Sequence, residues 1–204
     1  MAVLFERFGY RGDSETYDDL ANADLLQVIE RRKGLPIALS ILYLHVARGV
    51  GWHGEGVNFP GHFLIRIGEG GEAVLADPFE RGAIPAARDL ETILRRVHGV
   101  DAELGPEHLV VAGNRDILLR LQNNIKVRCL KKGDTAGGLA AVERMALVAP
   151  RHPGVWYEAA TLNAELGQLQ RAGACLDAVA RLDRDGQLKR QAEALRAALK
   201  ARLN

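Results

Sequence analysis

Cysteine is nearly absent from this 204-residue chain: only Cys129 and Cys175 occur, too few for a disulfide framework or a Cys-rich zinc site. Both lie in Ala- and Leu-rich stretches and read as small buried apolar residues rather than redox centres. Long apolar runs are also missing. The longest, Leu35 to Leu44, is too short to span a bilayer, so no membrane association is expected. The first residues include Glu6 and Arg7 and offer no small-residue cleavage site, which argues against a signal peptide and for a cytoplasmic protein. A strong charge of one sign is lacking as well, the formal net charge being +1, which excludes a wholesale basic or acidic surface. With 48% hydrophobic and 26% charged residues the chain can bury a core and is not disordered.

The small net charge hides an asymmetry. Residues 1–112 carry 11 Lys/Arg against 17 Asp/Glu, and residues 113–204 carry 16 against 9. Opposite halves of this size suggest two units, with self-association as one reading.

Residues 9–19 are polar and irregular and are expected to form a loop. Apolar spacing predicts a helix over Asn22–Lys33, stopped by Gly34. Pro36 then opens a second helix at its first turn, running to about Arg48 and apolar nearly all round, which places it centrally in the core. The period next switches to that of short strands over Gly54–Phe59, His62–Ile67 and Glu72–Ala76, the last two joined by a hairpin turn at Gly68–Gly71. Helical patterns follow over Arg88–Val97, Pro106–Ala112, Asp116–Lys131, Ala136–Val148, Gly154–Leu166, Leu169–Leu182 and Leu188–Leu203. The expected organisation is an α+β domain over residues 1–105 and an all-α domain over 106–204. Gly133-Asp134 recurs as Gly167-Gln168 at an offset of 34, and Ala140, Val142 and Val148 meet Ala174, Leu176 and Leu182 at that same offset. This is the period of tetratricopeptide repeats, whose concave surfaces bind protein partners.

The order helix, His62-bearing strand, Asp77-bearing strand resembles that of transglutaminase-like cysteine hydrolases, of papain-like fold with a small antiparallel sheet. In such a site a thiol at the helix N-terminus is the nucleophile, the imidazole its base and the carboxylate its orienter. Here Pro36 stands where the cysteine should be. Ser40, one turn further along, lacks the terminal N–H groups that would activate it. The segments Phe8-Gly9-Tyr10-Arg11-Gly12, Gly34-Leu35-Pro36-Ile37, Gly56-Val57-Asn58-Phe59-Pro60-Gly61-His62-Phe63 and Asp77-Pro78-Phe79 are similar to those of bacterial transglutaminase-like invasion-regulator proteins. That resemblance implies a transglutaminase-like domain without the catalytic cysteine, tetratricopeptide-like helices, and a regulatory or scaffolding role. Ala38 stands where relatives often have serine. Relatives often have an N-terminal helical segment before the point where this chain begins, implying a shortened form whose uncovered apolar surface would favour a homodimer.

The expected function is therefore non-catalytic recognition. A cleft with His62 and Asp77 as the retained pair, and Pro36, Ser40, Asn58 and Phe59 lining it, would hold a peptide or small ligand, and the helical tail a protein partner. The alternative is a cysteine-independent hydrolase or transferase with His62 as general base oriented by Asp77. The plainer account makes His62 and Asp77 a buried structural pair. His45 and His53 have no second ligand at metal spacing, so neither a metal nor another cofactor is expected. Arg31, Arg32 and Lys33 read as cations at a helix C-terminus. Lys126, Arg128, Lys131 and Lys132, without interleaved aromatics, read as a solvated helix face rather than a nucleic-acid surface.

Overall fold

The computed structural model describes residues 3–183 and 186–201. It divides into two compact units, Met1–Ile117 and Leu118–Asn204.

The first unit begins with a wide helical turn over Val3–Arg7. Strand β1 (Arg11–Gly12) pairs in parallel with β2 (Lys33–Gly34), and helix α1 (Leu25–Arg31) lies between them in sequence. The expected helix over Asn22–Lys33 is thus shorter at both ends. Asp24 caps α1 by accepting the N–H groups of Leu26 and Gln27, and Arg32, at φ 56°, turns the chain out of the helix and into β2. The expected loop at 9–19 likewise contains β1. Its following turn is fixed by side chains: Asp13 accepts from Thr16 and pairs with Arg31 at 3.0 Å, and Arg31 also donates to Asn22 at 3.1 Å. Arg31 is therefore a cross-link between α1 and the first loop rather than only a helix-terminal cation.

Helix α2 (Pro36–Gly49) starts on Pro36, whose missing N–H costs nothing there. Pro36, Ile37, Ala38, Leu39, Ser40, Tyr43, Leu44 and Ala47 are all buried, giving the central helix that its composition predicts. Each fully buried Leu or Ile contributes about 1.5–3 kcal/mol. The sheet is four-stranded and antiparallel, in the order β5 (Val74–Ala76), β4 (Leu64–Ile67), β3 (Gly54–Val57), β6 (Val111–Ala112). The strands are shorter than the expected Gly54–Phe59 and His62–Ile67, leaving Asn58, Phe59, His62 and Phe63 outside them, because Pro60-Gly61 makes a tight turn in which the His62 N–H donates to the Phe59 carbonyl at 3.1 Å. Helix α3 (Ala87–His98) packs Leu90 and Leu94 against Val57, Phe59 and Leu64. The helix expected over Pro106–Ala112 is instead one tight turn, Pro106–Leu109, followed by β6, whose Val111 and Ala112 pair with Val57 and Gly56. The β-branched Val110-Val111 pair before Gly113 favours extended backbone there.

Helix α4 (Asn114–Lys131) crosses the boundary between the units, and the second unit continues with α5 (Thr135–Val148), α6 (Pro153–Glu165), α7 (Leu169–Leu182) and α8 (Gln187–Ala201). The pattern expected to end at Leu203 runs beyond the described residues. The 34-residue repeat is visible in the backbone. Asp134 N–H donates to the Cys129 carbonyl and Gln168 N–H to that of Asn163, while Gly133 and Gly167 take left-handed φ values of 74° and 71°. Val142 and Leu176, also 34 apart, are both fully buried. Two apolar clusters result: Leu139, Val142 and Met145 with Val155, Ala159 and Leu162, and Ala160, Ala172, Leu176 and Val179 with Ala192 and Leu199. The basic stretch on α4 is less solvated than expected. Lys126 pairs with Glu158 at 2.6 Å, and Arg128 is buried and donates to the Asn124 side chain at 2.9 Å.

Candidate functional site

His62 and Asp77, fifteen residues apart in sequence, are brought together with His62 Nε2 2.7 Å from Asp77 Oδ2. Their side chains are 14% and 7% exposed, so the imidazole can be reached while its carboxylate is nearly covered. A carboxylate only accepts, so Nε2 carries the hydrogen of this bond. Asp77 follows β5 and is tied down on every side. Its backbone N–H donates to the Ala83 carbonyl, and its Oδ1 accepts from the N–H groups of Phe79 and Glu80 at 2.9 and 3.3 Å. Such an arrangement holds the imidazole in one orientation.

The pair depends on two glycines. Gly61, at φ +70°, lies so close to α3 that an added Cβ would stand 2.5 Å from Val97 Cγ2. Gly12 in β1 faces the Phe79 ring, where a Cβ would also come within 2.5 Å. Phe79 in turn meets the His62 ring edge-on at 6.2 Å and Tyr17 at 5.8 Å. Phe79 and Gly12 also line a polar cavity of about 260 Å³ together with Arg11, Asp13, Glu15, Lys33 and Arg81. Burial opposes ionisation of Asp13, but hydrogen bonds from the Thr16 side chain and backbone and the charges of Lys33 and Arg31 outweigh it, holding the carboxyl below its ordinary range.

The remaining candidates are placed as follows. Pro36, Ile37 and Ala38 form the buried first turn of α2, and Ser40 is fully buried with no hydrogen-bond partner for its Oγ. Phe59 is fully buried against Leu64, Leu90 and Leu94, and Asn58 is exposed with its N–H bonded to the Val110 carbonyl. Gly12 and Tyr17, in the segment expected to be an irregular loop, belong to the surroundings of Phe79; the Phe8-Gly9-Tyr10-Arg11-Gly12 motif is a signal for Gly12, and none marks Tyr17. Burial pushes both thiols up, Cys129 with help from the Asp134 carboxylate and Cys175 from that of Glu143. Among the described residues no group of three or more His, Cys, Asp and Glu side chains is placed to hold a metal ion. No helix among them is long and apolar enough to cross a membrane.

The transglutaminase-like superfamily model matches residues 1–123, which is more than half of the sequence. The chain belongs to the transglutaminase-like superfamily. A tetratricopeptide-repeat model matches residues 125–200, next to the transglutaminase-like region. A UPF0162 protein of Xylella fastidiosa is 32% identical over 177 residues, covering 85% of this chain and 62% of the relative. One from Vibrio cholerae is 32% identical over 133 residues, covering 65% of this chain and 49% of the relative. The chain thus spans about half to three-fifths of the length of these bacterial relatives. The mouse F-box only protein 21 is 42% identical over 78 residues, which are 38% of this chain and 12% of that protein. No solved structure matches the chain.

Proposed function

We propose that this transglutaminase-like protein is a recognition module that has given up thiol chemistry. The His62–Asp77 site and the polar cavity beside Phe79 hold a peptide or small acyl ligand, and the tetratricopeptide region, taken as residues 106–204, binds a protein partner. The observation that carries this reading is the pairing of an oriented, reachable imidazole with a buried α2 start on Pro36. The base and its orienter persist, while the position from which a nucleophile would act offers neither a thiol nor access. Concave helical repeats supply extended surfaces for a partner chain.

A second reading, general-base hydrolysis by His62 without a protein nucleophile, draws on the 2.7 Å contact that orients the ring. One experiment separates the two. The isotopically labelled chain is titrated with pools of short peptides and N-acyl amides, following the Gly12, His62 and Phe79 signals, and the peptides are then weighed by mass spectrometry. Recognition predicts saturable shifts at these three residues, unchanged peptide masses, and affinity weakened about tenfold or more by Asp77→Asn, which removes a charge-assisted bond. Product formation that His62→Ala abolishes selects hydrolysis. An absence of shifts at all three residues refutes both.

A further inference from the structure

Cationic side chains from separate stretches of the chain line the polar cavity beside Phe79: Arg11 of β1, Lys33 of β2 and Arg81 of the turn after Asp77. The backbone brings them there. Arg11 and Lys33 are direct partners in the β1–β2 ladder, and the Gly12 N–H donates to the Phe79 carbonyl at 3.0 Å. That bond ties the strand carrying Arg11 to the turn carrying Arg81. Like charges directly opposite each other on paired strands repel, so the register itself works against an arginine beside a lysine unless a negative group lies between or near them.

The carboxylates in the wall do not use up this charge. Asp13 is taken by Arg31 at 3.0 Å and by Thr16, and Glu15 pairs with Lys33 at 3.3 Å. Arg11 and Arg81 are both exposed, and among the described residues neither forms an ion pair. The Arg81 guanidinium lies over the Phe5 ring, 4.9 Å from its centroid, a contact that places the group without giving its N–H donors an oxygen. Arg81 is also held at a left-handed φ of 59°, a conformation that costs any residue with a Cβ. Glu80 is the remaining acid of the wall, so the unpaired residues carry a surplus of one positive charge.

We infer that this cavity binds a carboxylate, carried by a peptide's C-terminus or by an acidic side chain, between the guanidinium groups of Arg11 and Arg81. A guanidinium presents its donors in a planar fork that matches the two oxygens of a carboxylate. A surplus of one charge suits a monoanion, whereas a doubly charged phosphate would meet the repulsion of Glu80 and Glu15 without full compensation. The inference rests on the recognition reading, which puts the ligand of the His62–Asp77 site at this cavity, and adds the charge that ligand carries.

The test follows the Arg11 and Arg81 Nε–H signals, with those of Phe79 and His62, in the isotopically labelled full chain. N-acetylglycine presents a terminal carboxylate, the α-amide of N-acetylglutamic acid a side-chain carboxylate alone, and N-acetylglycinamide none; inorganic phosphate is the last probe. One or both carboxylates are expected to shift Arg11, Arg81 and Phe79 saturably, and the tighter of the two identifies the source. N-acetylglycinamide is expected to bind about tenfold or more weakly, having lost the charge-assisted bonds. Arg11→Gln and Arg81→Asn should each weaken the carboxylate by about tenfold or more for the same reason. Arg11 is exposed and asparagine tolerates the left-handed φ, so both variants keep the fold. The inference is overturned by no saturable shift with either carboxylate, by equal affinity for N-acetylglycinamide, by binding that survives both substitutions, or by phosphate shifting Arg11 and Arg81 where neither carboxylate does. Peptides from the pools that move Gly12, His62 and Phe79 with no dependence on Arg11 and Arg81 also overturn it, and leave the recognition reading standing. Carboxylate shifts at Arg11 and Arg81 with His62 unmoved support it, and count against the part given to His62.

Discussion

Replacing Asp77 in two ways separates its role in the backbone turn from its role toward His62. The wild-type carboxylate, 5% exposed as a residue, accepts the N–H groups of Phe79 and Glu80 through Oδ1 and contacts His62 Nε2 through Oδ2. Asp77→Ala removes all three acceptor contacts. At about 1 kcal/mol for each backbone bond and about 1.5 kcal/mol or more for a bond to a charged group, the loss is about 3–4 kcal/mol. Asp77→Asn keeps a carbonyl oxygen for the two backbone donors and can still bond the imidazole with the opposite polarity, so the expected loss is about 1–2 kcal/mol. Urea unfolding followed by Trp52 fluorescence in a Trp156→Phe background reports on the first unit alone. The two variants should differ in stability by about 2 kcal/mol, a shift of the midpoint on the order of 1 M. Equal midpoints for the two variants would mean that the 77–80 turn does not depend on the carboxylate, and would refute the positioning argument.

Gly61→Ala should destabilise the first unit by about 2–4 kcal/mol, since a left-handed φ and a clash with Val97 add together; adding Val97→Ala should recover the clash but not the backbone part in the same urea assay. Asp13 is held below its ordinary range, so it contributes stability that is complete above the unfolded value of about 3.9 and is lost as pH falls through the lower folded value. Asp13→Asn should therefore be less stable than wild type at pH 6, with the difference shrinking in acid melts below pH 4. Cys129 and Cys175, both pushed up by burial, should react with a disulfide reagent at neutral pH far more slowly than after unfolding in urea; thiolate-like rates in the folded chain would contradict their assignment as inert.

Much of this architecture is legible in the residues because it is local. Gly34 and Pro36 bracket the start of α2, its apolar run marks a central helix, and the Gly68–Gly71 cluster marks the hairpin between β4 and β5. The repeat is legible for a different reason: one turn, built on a left-handed glycine, is used twice, at Gly133 and Gly167. What sequence pattern misses is pairing over long separations. Arg11-Gly12 and Val111-Ala112 are each two residues long, too short to carry any period, and become strands only through partners 22 residues away in the first case and 54 and 56 residues away in the second. The candidate site divides in the same way. His62 and Asp77 are expected as a pair from residue type and order, and their side chains lie in contact; Phe59, expected from its motif to line a cleft, is fully buried with Leu64, Leu90 and Leu94. Arg128, charged and on a basic helix, looked solvated until Asn124 one turn earlier supplied its partner.

The central claim, that an oriented imidazole is kept for recognition, is tested most directly by the nitrogen resonances of the His62 ring in wild type and Asp77→Asn, each with and without the tightest binder from the peptide and acyl-amide pools. The account predicts the Nε2–H form in the wild type, reversal to Nδ1–H in the variant where the amide can donate to Nε2, and ring signals that move on saturation with ligand. An identical tautomer in both proteins, or a ring whose signals stay fixed while the ligand saturates the chain, would contradict it.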